Sequence, residues 1–285
     1  MIESQREVAD GERFAFGRNW REFIELVDEK RINAAIDSLR KALGTADLTG
    51  RTFLDVGCGS GLFSLAANRM GARVRSFDLD PESVAATVEL RDRFGASGEW
   101  IITHGSILDE ETVAGLGRFD IVYSWGVLHH TGDLWRAVAI TSGLVASGGR
   151  LYISIYNDQG AASRMWRRVK RRYNRSGALV RRLLVVGSAA YLSRRRPMAM
   201  LIGLVRGPGP VVWRPSPGRG MSTKHDMIDW VGGYPFEVAK PEQVFDFFRA
   251  RGFELRRLKT CGGSLGCNEF VFQQAGGRGP GSAAE

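Results

Sequence analysis

The chain has 285 residues, of which 44% are apolar and 25% charged, a composition typical of a globular protein and not of a disordered one. This length allows one buried core with additions and excludes two enzyme domains of ordinary size. The three cysteines are too few for a disulfide framework, so we expect a protein of the reducing cytoplasm. The first residues, MIESQREVADGERF, lack a basic stretch followed by an apolar one, and we expect no export signal.

The formal charge of +9 is concentrated in one part of the chain. No Asp or Glu occurs between Gln159 and His225, whereas sixteen Lys or Arg fall between Arg164 and Lys224. Outside that stretch the chain carries 24 basic and 31 acidic residues. An acidic body with a basic arm predicts a partner for the arm and not for the whole surface.

Residues 1–50 are predicted to form a helical N-terminal extension, because apolar residues recur at spacings of three and four. From 51 to 157, strands and helices alternate, which predicts a parallel sheet with helices on both faces. The predicted strands lie near 52–56, 73–78, 100–104, 119–125 and 150–156.

Residues 158–224 interrupt this alternation. They begin with two stretches rich in arginine and apolar residues, and end in GPGPVVWRPSPGRG, which holds four of the nine prolines and predicts an irregular segment. Residues 225–274 return to the core, with a helix that begins near a proline, stops at Gly252 and leads to a last strand at 268–273. Residues 275–285 are predicted to be a disordered tail.

The strongest motif is FLDVGCGSG at residues 53–61, an apolar strand that runs into three glycines at alternate positions. Gly57, Gly59 and Gly61 allow a tight turn and a close approach to a ligand. Asp55 lies at the end of this strand, and Asp78 ends the next one, where a carboxylate can accept both hydroxyls of a ribose. The alternative for both carboxylates is simple strand-end capping.

These residues, with FDIVYSWGVLHH and LVASGGRLYISIYN, make the chain resemble class I S-adenosylmethionine-dependent methyltransferases over roughly residues 50–157 and the closing strand pair. Within that group it is most similar to the polyprenyl hydroxyphenol and ubiquinone-pathway O-methyltransferases. The resemblance implies an α/β, Rossmann-like class I methyltransferase sheet, with a basic insertion before the last helix and strands. It implies S-adenosyl-L-methionine as cofactor; a dinucleotide is disfavoured because GCGSG lacks the GxGxxG spacing.

The resemblance also assigns cofactor contacts. It places Asp55 and Gly57 at the methionyl part and Asp78 at the ribose. Ser106 stands where many relatives carry an acidic residue for the adenine amino group, so the adenine would contact Ser106 and the backbone of Ile107. The cofactor-binding residues predicted on this basis are Asp55, Gly57, Cys58, Gly59, Gly61, Asp78, Leu79, Ser106, Ile107, Ser124 and Trp125.

Methyl transfer to a hydroxyl requires alignment and a base. SWGVLHHTGD supplies His129 and His130, each of which is either the base or a packing residue beneath the cofactor. Polar and aromatic groups on irregular backbone are typical of substrate sites, with a solvated loop as the alternative. The predicted substrate-binding residues are Tyr156, His225, Trp230, Tyr234 and Glu237. No set of side chains at ligand spacing predicts a metal.

Four roles remain open for the insertion. Its longest uncharged run, Leu183 to Ser193, is too short to span a bilayer, which needs about 20 residues. A cap over a small-molecule or lipid-like substrate is favoured, followed by contact of residues 164–206 with the inner face of an anionic membrane. RNA binding through arginines and aromatic rings is less favoured, and a protein partner least.

We therefore predict a methyltransferase that acts on a hydroxyl of a small molecule or a lipid-linked aromatic. The alternatives are a tRNA or other nucleic-acid methyltransferase that uses the basic insertion, and a protein that binds S-adenosylmethionine for chemistry other than methyl transfer. Fold likeness alone does not choose among them.

Overall fold

The computed structural model describes Glu7, residues 10–193, Ile228 and residues 230–276. Its strands form one seven-stranded sheet in the order β3-β2-β1-β4-β5-β7-β6. Strands β1 to β5 pair in parallel, and β7 runs antiparallel to both β5 and β6. The strands are β1 (Thr52–Val56), β2 (Arg73–Asp78), β3 (Trp100–His104), β4 (Phe119–Trp125), β5 (Val145–Tyr156), β6 (Phe253–Lys259) and β7 (Cys267–Gln274). The predicted α/β sheet is confirmed.

The helices begin and end at the residues that their local chemistry favours. Asp28, Asp80, Asp109 and Asp133 each precede a helix and accept a hydrogen bond from a backbone N–H of its first turn. The helices are α1 (Phe16–Ile24), α2 (Glu29–Leu43), α3 (Leu62–Arg69), α4 (Pro81–Phe94), α5 (Glu110–Ala114), α6 (Leu134–Gly143), α7 (Ala161–Asn174), α8 (Ala178–Ser193) and α9 (Pro241–Arg249), with a 3-10 turn at Leu128–His130.

A hydrophobic core lies on each face of the sheet. Phe53 of β1 joins the first core, to which α1 to α4 contribute, and the next residue, Leu54, joins the second core with α6 and α9. This alternation follows from the opposite directions of successive side chains in a strand. The periodic apolar residues of the N-terminal extension are all buried in the first core, as the helical prediction requires: Phe23, Ile24, Val27, Ile32, Ile36, Leu39 and Leu43.

The insertion contributes a third, aromatic core. Helices α7 and α8 pack with residues 230–238, and Trp166, Trp230, Val231 and Phe236 are buried between them. In the part of the chain that the structure describes, none of the helices combines the length and apolar character needed to cross a bilayer. Three predicted features lie wholly or partly outside the described residues: residues 194–206 of the predicted membrane contact, the predicted irregular segment at 207–220, and residues 277–285 of the predicted tail at 275–285.

Candidate cofactor and acceptor site

The glycine loop follows β1 at the carboxyl edge of the sheet. Gly57 has a φ of 78°, and a Cβ on it would come within 2.3 Å of Val127 Cγ1. Gly59 has a φ of 56°, and its Cβ would lie 2.9 Å from the indole nitrogen of Trp20. Both the left-handed backbone and the close neighbours require glycine here. The loop therefore presents bare backbone at the place where a ligand can approach it.

Asp78 is the half-buried carboxylate beside this loop. It accepts hydrogen bonds from the backbone N–H of Gly59 and of Asp80, both at 2.9 Å. Burial raises its pKa to about 6, against the opposing effect of these two N–H groups. A carboxylate has about four acceptor positions, so Asp78 retains the capacity to accept from two hydroxyls of a ribose.

Asp55, at the end of β1, is only 2% exposed. The hydroxyl of Ser64 donates to it at 2.6 Å. Burial raises the pKa of Asp55 to about 7; the bond from Ser64 lowers it, and the nearby charge of Asp78 raises it. A cationic group bound beside Asp55 would favour its ionised form, as the ammonium of a methionyl moiety would.

Four other predicted cofactor residues use their side chains for contacts within the protein, three of them polar and one apolar. The buried thiol of Cys58 lies 3.3 Å from the hydroxyl of Thr87, and burial raises its pKa. Ser124 donates to the carbonyl of Val56 at 3.0 Å, and Ile107 belongs to the second core. The hydroxyl of Ser106 accepts from the N–H of Leu108 at 3.1 Å. The cofactor roles of these four residues stay predictions, with the backbone as the part best available to a ligand.

The three remaining predicted residues frame the same edge. Gly61, with a φ of 75°, is the residue from which α3 starts. The carbonyl of Leu79 is 2.8 Å from Nε2 of the His104 ring. Trp125 packs half-buried against the first core. Gly61 closes the glycine loop and Leu79 follows Asp78, whereas Trp125 is the last residue of β4, the strand that pairs with β1.

An N-terminal strap, residues 13–20, crosses this edge and escapes sequence analysis. Its Trp20 contacts Gly59, and the N–H of Gly17 donates to the carboxylate of Asp80 at 2.8 Å. At its other end Arg13 donates to the carbonyl of His130 at 3.0 Å. The available signal is a set of aromatic residues, Phe14, Phe16 and Trp20, that precede the periodic apolar run.

The two histidines after β4 are buried and differ in their hydrogen bonds. The N–H of Tyr156 donates to Nδ1 of His129 at 3.3 Å, so the hydrogen of that neutral ring is on Nε2. Nδ1 of His130 is 2.6 Å from the carbonyl oxygen of Pro235, which only accepts, so this Nδ1 carries the hydrogen and Nε2 keeps its lone pair. Of the two rings, His130 has the tautomer that leaves an uncommitted basic nitrogen on Nε2.

Burial lowers the pKa of both histidines. The pKa of His129 falls well below its ordinary value, and that of His130 falls to about 3, with the charge of Lys170 as a further cause in each case. Both rings are therefore neutral at physiological pH. A neutral imidazole is the form that can accept a proton, and the lowered pKa makes each ring a weaker base than a free imidazole.

Aromatic side chains cover the histidines. The ring of Tyr156 lies 4.0 Å from that of His129, 5.3 Å from that of Trp230 and 5.2 Å from that of Phe236. Trp166 of α7 adds a ring 5.5 Å from Trp230. We call Tyr156, Trp166, Trp230 and Phe236 the aromatic roof. Trp166 belongs to the insertion, so the insertion contributes one ring to this roof. The role of the insertion as a cap over a substrate stays a prediction.

The other predicted substrate residues have diverse positions. The carbonyl of Tyr234 accepts from the N–H of Phe14 at 2.9 Å, which joins the strap to the loop before α9. Glu237 is half-buried and its pKa is raised by burial, although the N–H groups of Leu134 and Gly132 lower it. This carboxyl therefore faces the start of α6. His225 lies outside the described residues, and the substrate roles of all three stay predictions.

A family model described as a methyltransferase domain matches residues 27–182, more than half of the chain. The chain belongs to this methyltransferase family. The glycine cradle, Asp55 and Asp78 fit S-adenosyl-L-methionine, the cofactor of the domain. Within the described residues, no group of three His, Cys, Asp or Glu side chains could hold a metal ion.

Among curated proteins, the chain is similar to ubiquinone biosynthesis O-methyltransferases. It is 32% identical over 112 residues to the enzyme of Aromatoleum aromaticum, and these residues are 39% of this chain and 47% of that relative. It is 33% identical over 116 residues to the enzyme of Xanthomonas euvesicatoria pv. vesicatoria, and these residues are 41% of this chain and 47% of that relative. The chain thus matches about half the length of these relatives. The solved structure of the cyclase SpnF superposes with a TM-score of 0.50 at 13% identity over 85% of this chain and 80% of SpnF, a likeness of fold alone.

Proposed function

We propose that the protein transfers the methyl group of S-adenosyl-L-methionine to a hydroxyl of a small molecule or a lipid-linked aromatic. The observation that carries this proposal is the neutral His130 ring. Its Nδ1 donates to Pro235, and its Nε2 is left as a base beneath the aromatic roof. The names of the curated relatives, which are O-methyltransferases, support oxygen as the acceptor atom.

The cofactor half of the proposed site lies along the glycine loop. Asp78 would accept from the ribose hydroxyls, Asp55 and Gly57 would face the methionyl part, and Ser106 with the Ile107 backbone would contact the adenine. The cofactor supplies a methyl group on a sulfonium, and when its carbon–sulfur bond breaks the electron pair stays on sulfur. Because that leaving group departs neutral, the protein has to align the reactants and remove one proton.

The acceptor half supplies that proton transfer. Nε2 of His130 would take the hydroxyl proton of the acceptor when its oxygen receives the methyl group. The aromatic roof excludes water and offers ring faces to an aromatic acceptor. His129, whose Nδ1 already accepts from Tyr156, holds β5 and the roof in place.

The test is methyl transfer from methyl-labelled cofactor to a panel of phenols, catechols, amines and thiols, with His130→Asn and His129→Asn as a matched pair. General-base removal costs about 10²- to 10⁴-fold in rate. We expect His130→Asn to lose about that much kcat on phenolic acceptors with cofactor affinity unchanged, and His129→Asn to lose stability instead. Transfer to amines or thiols alone, or full activity of His130→Asn, would overturn the proposal.

We further propose that α8 brings the protein to an anionic membrane surface, from which a lipid-linked acceptor is taken. Leu179, Leu183 and Val186 share one face of α8 and are 72%, 62% and 66% exposed. Arginines 168 and 172 of α7 and Arg182 of α8 are exposed in the same two-helix unit. An apolar stripe with basic flanks suits an anionic lipid interface.

Vesicle flotation tests the membrane proposal. Wild-type protein should float with vesicles that contain phosphatidylserine, and the double substitution Leu183→Gln, Val186→Gln should remove most of the bound fraction. Leu258→Gln is the control, because Leu258 is an exposed leucine of β6, at 44%. Equal binding to neutral vesicles, or equal loss in the control, would contradict it. Salt-dependent binding to tRNA without vesicle binding would favour the nucleic-acid alternative.

A further inference from the structure

Helix α7 is strongly basic, yet one of its cations is completely buried. Lys170 has no exposed surface, and its Nζ donates to the carbonyl of Trp230. The same ammonium lies 4.6 Å from the ring centre of Trp230, 4.8 Å from that of Phe236 and 5.5 Å from that of Tyr156. Lysine is almost never fully buried without specific partners, so this placement indicates a defined task inside the protein.

Two neighbours on the same helix contact the same loop. The side-chain amide of Asn174 donates to the carbonyl of Gly232 at 2.7 Å, and Nε of Arg167 donates to the carbonyl of Phe236 at 3.1 Å. Residues 167, 170 and 174 follow the i, i+3, i+7 spacing of one helix face. We call Arg167, Lys170 and Asn174 the carbonyl clamp, because each holds a backbone carbonyl of the loop 230–236.

The clamped loop orients the proposed base. Pro235 lies between the carbonyls of Gly232 and Phe236, and its own carbonyl accepts the Nδ1 hydrogen of His130 at 2.6 Å. A hydrogen bond from one ring nitrogen to a backbone carbonyl decides which nitrogen of an imidazole keeps the lone pair. If the loop moved away, that bond would be lost and the ring could exchange its hydrogen between the two nitrogens.

We propose that Lys170, with Arg167 and Asn174, is a positioning residue that fixes the tautomer of His130 through the 230–236 loop. This role rests on the proposed function in one respect, namely that His130 is the base. This role explains why the positive charge of α7, which resembles that of a nucleic-acid or membrane arm, is divided between two faces of the helix. One face of α7 holds the loop through buried Lys170 and Asn174 and the largely exposed Arg167, and the other face carries the exposed Arg168 and Arg172.

The electrostatics around His130 agree with this geometry. The positive charges of Lys170 and, less strongly, Arg13 lower its pKa, whereas the bond to Pro235 raises it. The backbone N–H of Glu237 donates to the backbone carbonyl of His129 at 3.0 Å, which joins the end of the loop to the histidine turn. The charge of Lys170 thus disfavours the protonated form of the His130 ring, and the role of the clamp is to fix the tautomer of the neutral ring.

The test is nitrogen NMR of the His130 ring at pH 7 in the full chain, assigned by comparison with His130→Asn. Wild type and Arg168→Met, the control on the exposed face of α7, should show the Nδ1–H tautomer. Lys170→Met should show a mixture or the Nε2–H form, with kcat reduced about tenfold or more and affinity for S-adenosylhomocysteine unchanged within twofold. A pure Nδ1–H tautomer in Lys170→Met would overturn the proposal.

Misfolding of Lys170→Met and failure of the proposed function can each be distinguished from failure of the clamp. If Lys170→Met does not fold, Arg167→Met decides, because Arg167 is largely exposed and its loss leaves the aromatic core intact; an unchanged tautomer there would also overturn the clamp. If wild type transfers no methyl group to any hydroxylated acceptor, the proposed function fails. The tautomer measurement does not depend on activity and still reports on the clamp.

Discussion

The cofactor half and the acceptor half of the proposed site are built in different ways. The cofactor half comes from two short stretches, the glycine loop after β1 and the end of β2, in which backbone turn and carboxylate are only a few residues apart. The acceptor half joins residues from five distant parts of the chain: Arg13 at the start of the strap, the histidines, Tyr156, α7 and the loop 230–236. Changes in the first half should therefore act on cofactor binding, and changes in the second half on turnover.

The largest expected effect in the cofactor half is that of Asp78→Ala. Hydrogen bonds to a charged group contribute about 1.5–3 kcal/mol each, so the loss of this carboxylate should weaken S-adenosylhomocysteine binding roughly 100-fold. Asp92→Ala, an exposed aspartate of α4, is the control and should bind like wild type. Calorimetric titration measures both. Wild-type affinity in Asp78→Ala would contradict the placement of the ribose.

Gly57→Ala tests the close approach of the loop. A methyl group at Gly57 meets Val127 at 2.3 Å and requires a left-handed residue, so we expect unfolding to become easier by about 2–3 kcal/mol. Gly44→Ala is matched in φ, at 65°, but has no neighbour within 4 Å, and should lose only about 1 kcal/mol. Chemical denaturation separates the two. Equal losses would show that Val127 leaves room.

The strap joins both halves, and Trp20→Ala should therefore weaken cofactor binding without unfolding the core. Loss of one aromatic contact at the glycine loop should cost about 1–1.5 kcal/mol, or about tenfold in affinity. Trp135→Ala, which removes an exposed tryptophan packed against Phe247, is the control. Unchanged affinity in Trp20→Ala would restrict the strap to a packing role.

The smallest expected effect is a pH dependence of cofactor binding. The pKa of Asp78 is raised to about 6, so its ionised fraction falls as pH falls, and affinity should drop about fourfold between pH 7.5 and 5.5. The histidines are neutral across this range and do not contribute. In Asp78→Asn the pH dependence of cofactor affinity should be smaller. The remaining dependence is attributed to Asp55, whose pKa is about 7. A rise in affinity on acidification would contradict the assignment.

The same pKa shifts act on stability with opposite signs. The raised pKa values of Asp55 and Asp78 stabilise the fold at low pH, and this contribution is lost as pH rises through about 6 to 7. The lowered pKa values of His129 and His130 stabilise it above their ordinary value of 6.5, and that contribution is lost as pH falls. The two pairs therefore oppose each other. We expect the free energy of unfolding to change less with pH than it would with either pair alone.

The difference between the halves also decides what the sequence could predict. Local patterns were sufficient for the strands, because β1 to β4 match the predicted ranges and β5 differs only in beginning at Val145 instead of near 150. The glycine loop and Asp78 could be predicted because each lies directly at the end of a strand, where a short stretch of sequence identifies it. Lys170 could not be found in this way, because its burial depends on Trp230, sixty residues further along. The contact of Trp20 with Gly59 is likewise a product of tertiary packing.

The division into two halves is tested most directly by titrating S-adenosylhomocysteine into three proteins: wild type, Asp78→Asn and the double variant His130→Asn, Lys170→Met. We predict that the double variant binds within about twofold of wild type while it loses methyl transfer, and that Asp78→Asn loses most of its affinity. If the double variant keeps its fold and loses cofactor binding, the acceptor residues belong to the cofactor site and the division is wrong.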